Sequence, residues 1–449
     1  MLNFTVEKLI YGGDGLARMP VQANGKRLPK QPQDVQSRGK AAFVPFVLDG
    51  ERIEAAVVEE KPGFVRARAE KILTPSPQRI KPQCPYFERC GGCHYQHTGY
   101  EHQLEIKSAI LVENIRRIAK IELPEAPCLH RSEPWNYRNR TRMKVHGGSR
   151  FALGYYRFAS HELLRVEECP ISSPLINKAI AALWQLGRDG SVPTHVEEIE
   201  LFANDHDTQL LLEMNLDNHA EQAGNDVVGF VSELRRAVPA IAGVALFRKE
   251  GDTLRHEVVP QTMRSTFGTD SMKYRAADAE YRVSVGSFFQ TNRFLVNEMV
   301  DLVTGGYVGD NALDLYSGVG LFTVPLAKGF VEVSSVEAAP YSYHDLRKNA
   351  PSNVSTYRTM TQEFLTGIEE IARFDYVVAD PPRGGLGENV ARRLAQLAPP
   401  QITYVSCDPA TLARDLKILL DSGYKIREIH LVDLFPQTFH IESVAKLVR

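Results

Sequence analysis

Three strand patterns in the last third of the chain each end in a residue that can do chemistry. Asn311–Leu315 (NALDL) runs into the glycine turn YSGVG. Phe374–Asp380 (FDYVVAD) stops at Pro381, Pro382 and Arg383. The apolar run from Ile402 delivers Cys407, and Asp408, Pro409 and a helical pattern follow at once. From about residue 286 onward such strands alternate with helical patterns, which calls for a doubly wound parallel sheet. Open sheets of this kind gather their ligands at the carboxyl ends of the strands. A thiol, a carboxylate and a glycine turn on one such edge point to a nucleophile beside a nucleotide-like cofactor.

The cofactor side can be placed residue by residue. Gly318 and Gly320 permit a tight turn and a close backbone approach to a ligand, although they form only part of the dinucleotide fingerprint. The next strand, Glu332–Ala338, carries Glu337 about twenty residues beyond the turn, where an acid accepts from ribose hydroxyls. Asp380 sits where a strand that is apolar on both faces meets Pro-Pro. Gln290, in VGSFFQTN (Val285–Asn292), is a candidate for the amino-acid end of the cofactor.

A chain of 449 residues exceeds one ordinary core. Residues 1–72 alternate short β patterns with glycine turns and predict a small β-barrel. Residues 73–285 read as an α+β domain that contains most of the cysteines, and residues 286–449 as the α/β domain. Val21–Lys40 is polar and reads as a long loop, and Leu73–Gln83 as a proline-stiffened linker. No apolar run is long enough to span a bilayer. The early acid in MLNFTVEKL argues against a signal peptide, so a cytoplasmic, monomeric protein is expected. The net charge of -2 gives no global sign of nucleic-acid binding.

Six cysteines sharpen the picture. Cys84, Cys90 and Cys93 are spaced C-x5-C-x2-C, and Cys169 follows at a distance before Pro170. Clustered thiols in a reducing compartment point to a metal rather than to disulfides. On spacing alone, an iron–sulfur cluster and a four-thiolate zinc site both stand. Cys128 has no evident role. Arg138, Arg140, Arg142 and Lys144 alternate along YRNRTRMKV and would share one strand face, with Tyr137 nearby and Arg116 and Arg117 on a preceding helix. Such a face can track phosphates.

With these residues in place, the chain resembles the RNA 5-methyluridine methyltransferases almost end to end. VEKLIYGGDGLAR resembles the opening of the TRAM barrel, an OB-like RNA-binding module. CPYFERCGGCHYQH resembles the family's 4Fe–4S site. VGSFFQTN, LDLYSGVGLFTVPLA, DPPRGGLG, YVSCDPATLARD and HIESV resemble its catalytic motifs in order. The resemblance implies an S-adenosylmethionine-dependent enzyme whose C-terminal domain is Rossmann-like. Cys407 is then the nucleophile and Glu442 the base. Gln290, Tyr316, Glu337 and Asp380 become the cofactor contacts, and Cys84, Cys90, Cys93 and Cys169 the cluster ligands. It also implies an RNA partner, with ribosomal RNA favoured over transfer RNA. Two positions depart from the family pattern: Ser317 replaces the usual Cys, and Leu321 replaces an Asn that would offer the cofactor a polar contact.

The implied chemistry accounts for the residue types. A thiolate adding to carbon 6 of uracil makes carbon 5 nucleophilic. After methylation a base must remove the hydrogen at carbon 5 so that the thiolate is expelled. Arg383 or Asp380 is expected to orient that base or to stabilise the developing enolate. Two other function classes compete: transfer to an exocyclic nitrogen, which needs no thiol, and RNA binding or folding without methyl transfer. A cytosine carbon-5 enzyme is a nearer rival, disfavoured by Glu442 and the single active-site thiol.

Overall fold

The computed structural model describes residues 1–19, 39–217, 224–249, 261–368 and 373–449, so the loop expected at Val21–Lys40 lies almost wholly outside the described residues. The chain divides into two compact units, Met1–Glu113 with Phe435–His440, and Asn114–Leu434 with Ile441–Arg449.

In the first unit, β1 (Leu2–Leu9), β2 (Asp14–Arg18), β3 (Ala41–Pro45), β4 (Arg52–Glu60) and β5 (Phe64–Thr74) close into a barrel in the order β1-β2-β3-β5-β4. Alternate residues point inward. Phe4, Val6, Ala17, Ala42, Val44, Ile53, Ala55, Val65 and Ala67 form its core, as the period-2 pattern requires. Only glycine fits at position 15, where a Cβ would stand 2.4 Å from a Val47 methyl. The segment read as a linker is instead pinned to the barrel. Arg79 donates to both carboxylate oxygens of the buried Glu51, at 2.5 and 2.8 Å, and bridges to Thr98. Burial works against the Glu51 charge, yet Arg79 and the Leu48 and Ser76 amides bring its pKa below the usual range. Helix α1 (Tyr100–Asn114) follows.

In the second unit, β6 (Cys128–His130) precedes a sheet made by β7 (Arg140–His146), β8 (Ala152–Tyr156), β9 (Leu163–Arg165), β10 (Val196–Ala203), β11 (Leu210–Leu216), β12 (Ile241–Lys249) and β13 (Gln261–Gly268). Helices α2 (Pro174–Arg188) and α3 (Gly224–Ala237) lie between its strands in sequence. Ser173 caps α2 and Pro174 opens it, as the N-terminal preferences of helices dictate. A hairpin, β14 (Ser271–Ala276) with β15 (Ala279–Ser284), leads to α4 (Val296–Thr304).

The alternating region then gives β16 (Gly309–Leu315), α5 (Thr323–Gly329), β17 (Phe330–Val336), α6 (Pro340–Asn349), β18 (Val354–Tyr357), α7 (Thr361–Gly367), β19 (Tyr376–Ala379), α8 (Gly387–Leu397), β20 (Gln401–Ser406), α9 (Pro409–Asp421), β21 (Lys425–Val432) and β22 (Glu442–Val448). Their sheet runs β18-β17-β16-β19-β20-β22-β21-β6. This corrects the expectation of a wholly parallel sheet. β18 to β20 are parallel, but β22 inserts antiparallel between β20 and β21. The link from β21 to β22 contains no helix to carry a parallel crossover, so the chain returns antiparallel. β6 joins from far upstream, in parallel with β21.

Candidate active site

The strand ends meet as the sequence predicts. Leu315, Val336 and Ala379 stand level on the adjacent parallel strands β16, β17 and β19. Tyr316, Glu337 and Asp380 each follow at once, so the three form a row along the carboxyl edge. Tyr316 takes a left-handed backbone (φ 62°), a conformation uncommon outside glycine and asparagine. It turns the chain sharply into the glycine turn. Burial raises the pKa of its phenol, which bonds to Thr361 at the start of α7. Glu337 accepts from the Gly318 amide at 2.8 Å and from the Ala339 amide at 2.6 Å. Its carboxylate therefore shapes the turn. Burial raises its pKa, and these amides oppose the shift.

On the other side of β20, Cys407 and Glu442 come together through register. β20 and β22 are antiparallel, and their last pair is Ser406 with Ser443. One step further along each strand lie Cys407 and Glu442. Asp408, next to Cys407, caps α9 by accepting from the Ala410 and Thr411 amides at 3.0 and 2.9 Å. The thiol thus sits at the junction of a strand end and a helix N-terminus. Burial pushes its pKa up to about 12; the Glu442 and Asp380 carboxylates add to the rise and Arg383 opposes it. Burial, then Asp380, holds Glu442 well above the carboxylate range, and burial raises Asp380 to about 7.

Buried Asp415 of α9 holds the loop between Asp380 and α8. It accepts from the Leu386 amide and from the Tyr404 hydroxyl, each at 2.8 Å, while Arg414 donates to the Gly384 carbonyl. A Cβ at Gly385, where φ is +73°, would stand 2.5 Å from that carboxylate. The DPPRGGLG and SCDPATLARD motifs are therefore one packed unit.

Gln290 is buried, and its carbonyl accepts from Asn139 at 3.1 Å. Ser317 holds the turn through the Asp314 and Val336 carbonyls at 2.8 and 3.2 Å, and Leu321 is core. Sequence reading passed over Asp314. It is fully buried in β16 and accepts from Thr323 at 2.6 Å, while its Oδ1 has no hydrogen-bond partner. Burial carries its pKa up to about 7, with Asp380 and Glu337 adding to the rise. The signal was present: an acid inside an otherwise apolar strand, two residues before the turn.

One expectation changes. The basic strand face does not stand ready for phosphates. Arg140, Arg142 and Lys144 lie opposite Phe202, Glu200 and Glu198 of β10, and Arg142 also reaches Glu213 of β11 at 3.2 Å. Lys144 pairs with Glu198. Arg140 lies 3.9 Å over the Phe202 ring. As for the cysteines, none of the six forms a disulfide. Cys84, Cys90 and Cys93 are partly buried in the first unit. Among the described residues no group of three or more His, Cys, Asp or Glu converges to hold a metal ion.

Residues 99–449 match the family model for tRNA (uracil-5-)-methyltransferase. The chain belongs to that family. An RNA methyltransferase of Aquifex aeolicus is 33% identical, covering 99% of this chain and 98% of the relative. The 23S rRNA (uracil(1939)-C(5))-methyltransferase RlmD of Pectobacterium atrosepticum is 31% identical over 91% of this chain and 88% of its own. The crystal structure of Pyrococcus abyssi tRNA (uracil-54, C5)-methyltransferase, in complex with S-adenosyl-L-homocysteine, superposes with a TM-score of 0.73 at 24% identity, covering 100% of both chains. That likeness establishes the fold of this family member. No helix among its described residues is long and apolar enough to cross a membrane.

Proposed function

We propose that this chain transfers a methyl group from S-adenosylmethionine to carbon 5 of a uridine in structured RNA, through a covalent adduct on Cys407 that Glu442 resolves. The observation that carries this reading is the register placing Cys407 beside Glu442, on the edge that also presents Tyr316, Glu337 and Asp380. Exocyclic-nitrogen transfer needs neither the thiol nor the second acid.

S-adenosylmethionine supplies the methyl group as an electrophile. Glu337, Tyr316, Gln290 and Asp380 are the residues that would hold it. Without a ligand, Asp314, Asp380 and Glu442 retain protons at higher pH than ordinary carboxyls because all three are buried, and Asp380 adds to the rise at Asp314 and Glu442. A cationic ligand among them favours their ionised forms. As thiolate, Cys407 Sγ would add to carbon 6 of uracil, and the ring electrons would move so that carbon 5 takes the methyl group as its bond to the sulfonium sulfur breaks and S-adenosylhomocysteine leaves. Ionised Glu442 then accepts the proton from carbon 5, the carbon 5–carbon 6 double bond re-forms and the carbon–sulfur bond breaks. Nothing is oxidised or reduced overall. Arg383, which opposes the rise in the thiol's pKa, favours the thiolate.

Ribosomal RNA is the proposed substrate, on the strength of relatives such as RlmD that cover nine-tenths of the chain. The barrel is read as a TRAM-like RNA-binding module. Cys84, Cys90 and Cys93, with Cys169 as the fourth thiolate the resemblance supplies, are proposed to hold a 4Fe–4S cluster. The four thiols and their spacing support a metal, the family resemblance supports iron–sulfur over zinc, and no step of the reaction runs through the cluster. Transcribed 23S rRNA and tRNA incubated with labelled S-adenosylmethionine test the substrate. Label at carbon 5 of a uridine in 23S rRNA supports the reading. Label in tRNA alone assigns the transfer-RNA site instead, and label on a base nitrogen refutes the mechanism.

A further inference from the structure

The segment carrying Gln290 is gripped from two sides. On one side stands Asp345 of α6, fully buried, whose two oxygens receive four hydrogen bonds. Oδ2 accepts from the Ser284 amide and the Ser287 hydroxyl, each at 2.7 Å. Oδ1 accepts from the Ser284 hydroxyl at 2.6 Å and from Arg282 Nε at 3.2 Å. Every partner is a donor, a demand that a carboxylate meets and an amide does not. On the other side, Arg140 donates to the Ser287 carbonyl at 2.6 Å. Asn139 donates from its side chain to the Gln290 carbonyl at 3.1 Å and from its backbone to the Thr291 carbonyl at 2.9 Å. Ser287 is itself fully buried, so its hydroxyl and carbonyl are both fixed by ionic side chains.

Asp345 belongs to the helix that begins just after Glu337. It therefore joins two pieces of backbone distant in sequence: the turn that bears Glu337 and the segment that bears Gln290. We infer that Asp345, acting through Ser287 against Arg140, is a positioning residue of the cofactor site that fixes the Gln290 segment relative to the Glu337 turn. This rests on the assignment of Gln290 and Glu337 as cofactor contacts. It also gives Arg140 a task other than phosphate contact: its guanidinium is held at Glu200, 3.5 Å away, and over Phe202. Supporting groups of this kind keep ligand contacts within the narrow tolerance that binding requires.

Calorimetric titration of the full-length protein with S-adenosylmethionine, beside thermal unfolding and RNA binding, tests the inference. Ser287→Ala removes one hydroxyl at a buried site and leaves Ser284 on Asp345. It is expected to weaken S-adenosylmethionine binding about tenfold, the scale of one lost bond to a charged group. RNA affinity should stay within twofold of the parent. Arg140→Met should weaken cofactor binding likewise, and Arg140→Lys, which keeps a charged donor, should restore part of it. Asp345→Asn should cost more than either. Unchanged cofactor affinity in Ser287→Ala and Arg140→Met, with only a lower melting temperature, overturns the inference. So does an Arg140→Met variant that loses RNA affinity alone. A parent chain that binds no S-adenosylmethionine overturns the underlying site assignment, and that result is visible before any variant is made.

Discussion

Cys407 and Glu442 lie one residue beyond the last register pair of β20 and β22, so a backbone ladder rather than a flexible loop sets their separation. Burial pushes the thiol up to about 12 and keeps Glu442 protonated well above the carboxylate range. In the absence of ligands Cys407 should therefore be a poor nucleophile. Alkylation by iodoacetamide, followed by peptide mass spectrometry, should be slower at Cys407 than at exposed Cys128 at pH 8. Because the thiolate is the reacting form, the rate at Cys407 should climb about tenfold per pH unit through pH 10. A plateau below pH 9 would contradict the account.

Asp314 trades stability for a buried acid. Its pKa is raised in the folded state to about 7 from 3.8, so between those values the folded chain binds a proton that the unfolded chain has lost. Stability falls as pH rises through that window and is level above it. Asp314→Asn should therefore be indistinguishable from the parent near pH 4. It should become more stable than the parent by roughly 2–4 kcal/mol at pH 8, read by denaturant melts, while methyl transfer falls.

Asp415 carries a different burden. Its carboxylate receives the Leu386 amide and the Tyr404 hydroxyl inside the core. Asp415→Ala removes the shorter acceptor of both, leaving the Leu386 amide only the Tyr404 oxygen at 3.4 Å, and should cost about 2–4 kcal/mol. Because the same carboxylate holds the loop that follows Asp380, turnover should drop more than the stability loss alone explains at 10 °C below the melting point.

Anaerobically purified protein should be brown, with about four iron and four sulfide per chain. Cys93→Ser should lose the iron. A colourless protein with one zinc per chain would replace the cluster with the rival metal.

Much of the site was legible because strand ends announce themselves. An apolar run that stops at Asp380 or Cys407 places that residue at an edge, whatever the remaining topology. Pairing partners far away in sequence were not legible. The alternation of Arg140, Arg142 and Lys144 was read correctly as one face, but Glu198, Glu200 and Glu213, which occupy that face, come from β10 and β11. Asp345 sits in a polar helical stretch and looks like a surface acid; only the fold brings Ser284 and Ser287 to it. The antiparallel insertion of β22 was hidden for the same reason. Strand periodicity gives faces, not neighbours.

The covalent adduct tests the central claim most directly. RNA containing 5-fluorouridine at the target site cannot release its carbon 5 substituent as a proton, so the adduct should persist. Incubated with the protein and S-adenosylmethionine, it should give a denaturation-resistant complex whose nucleotide-bearing peptide contains Cys407. Cys407→Ala should form none and should lose methyl transfer. Glu442→Gln should accumulate adduct even on ordinary uridine. An adduct mapped to another cysteine, or full activity in Cys407→Ala, would contradict the account.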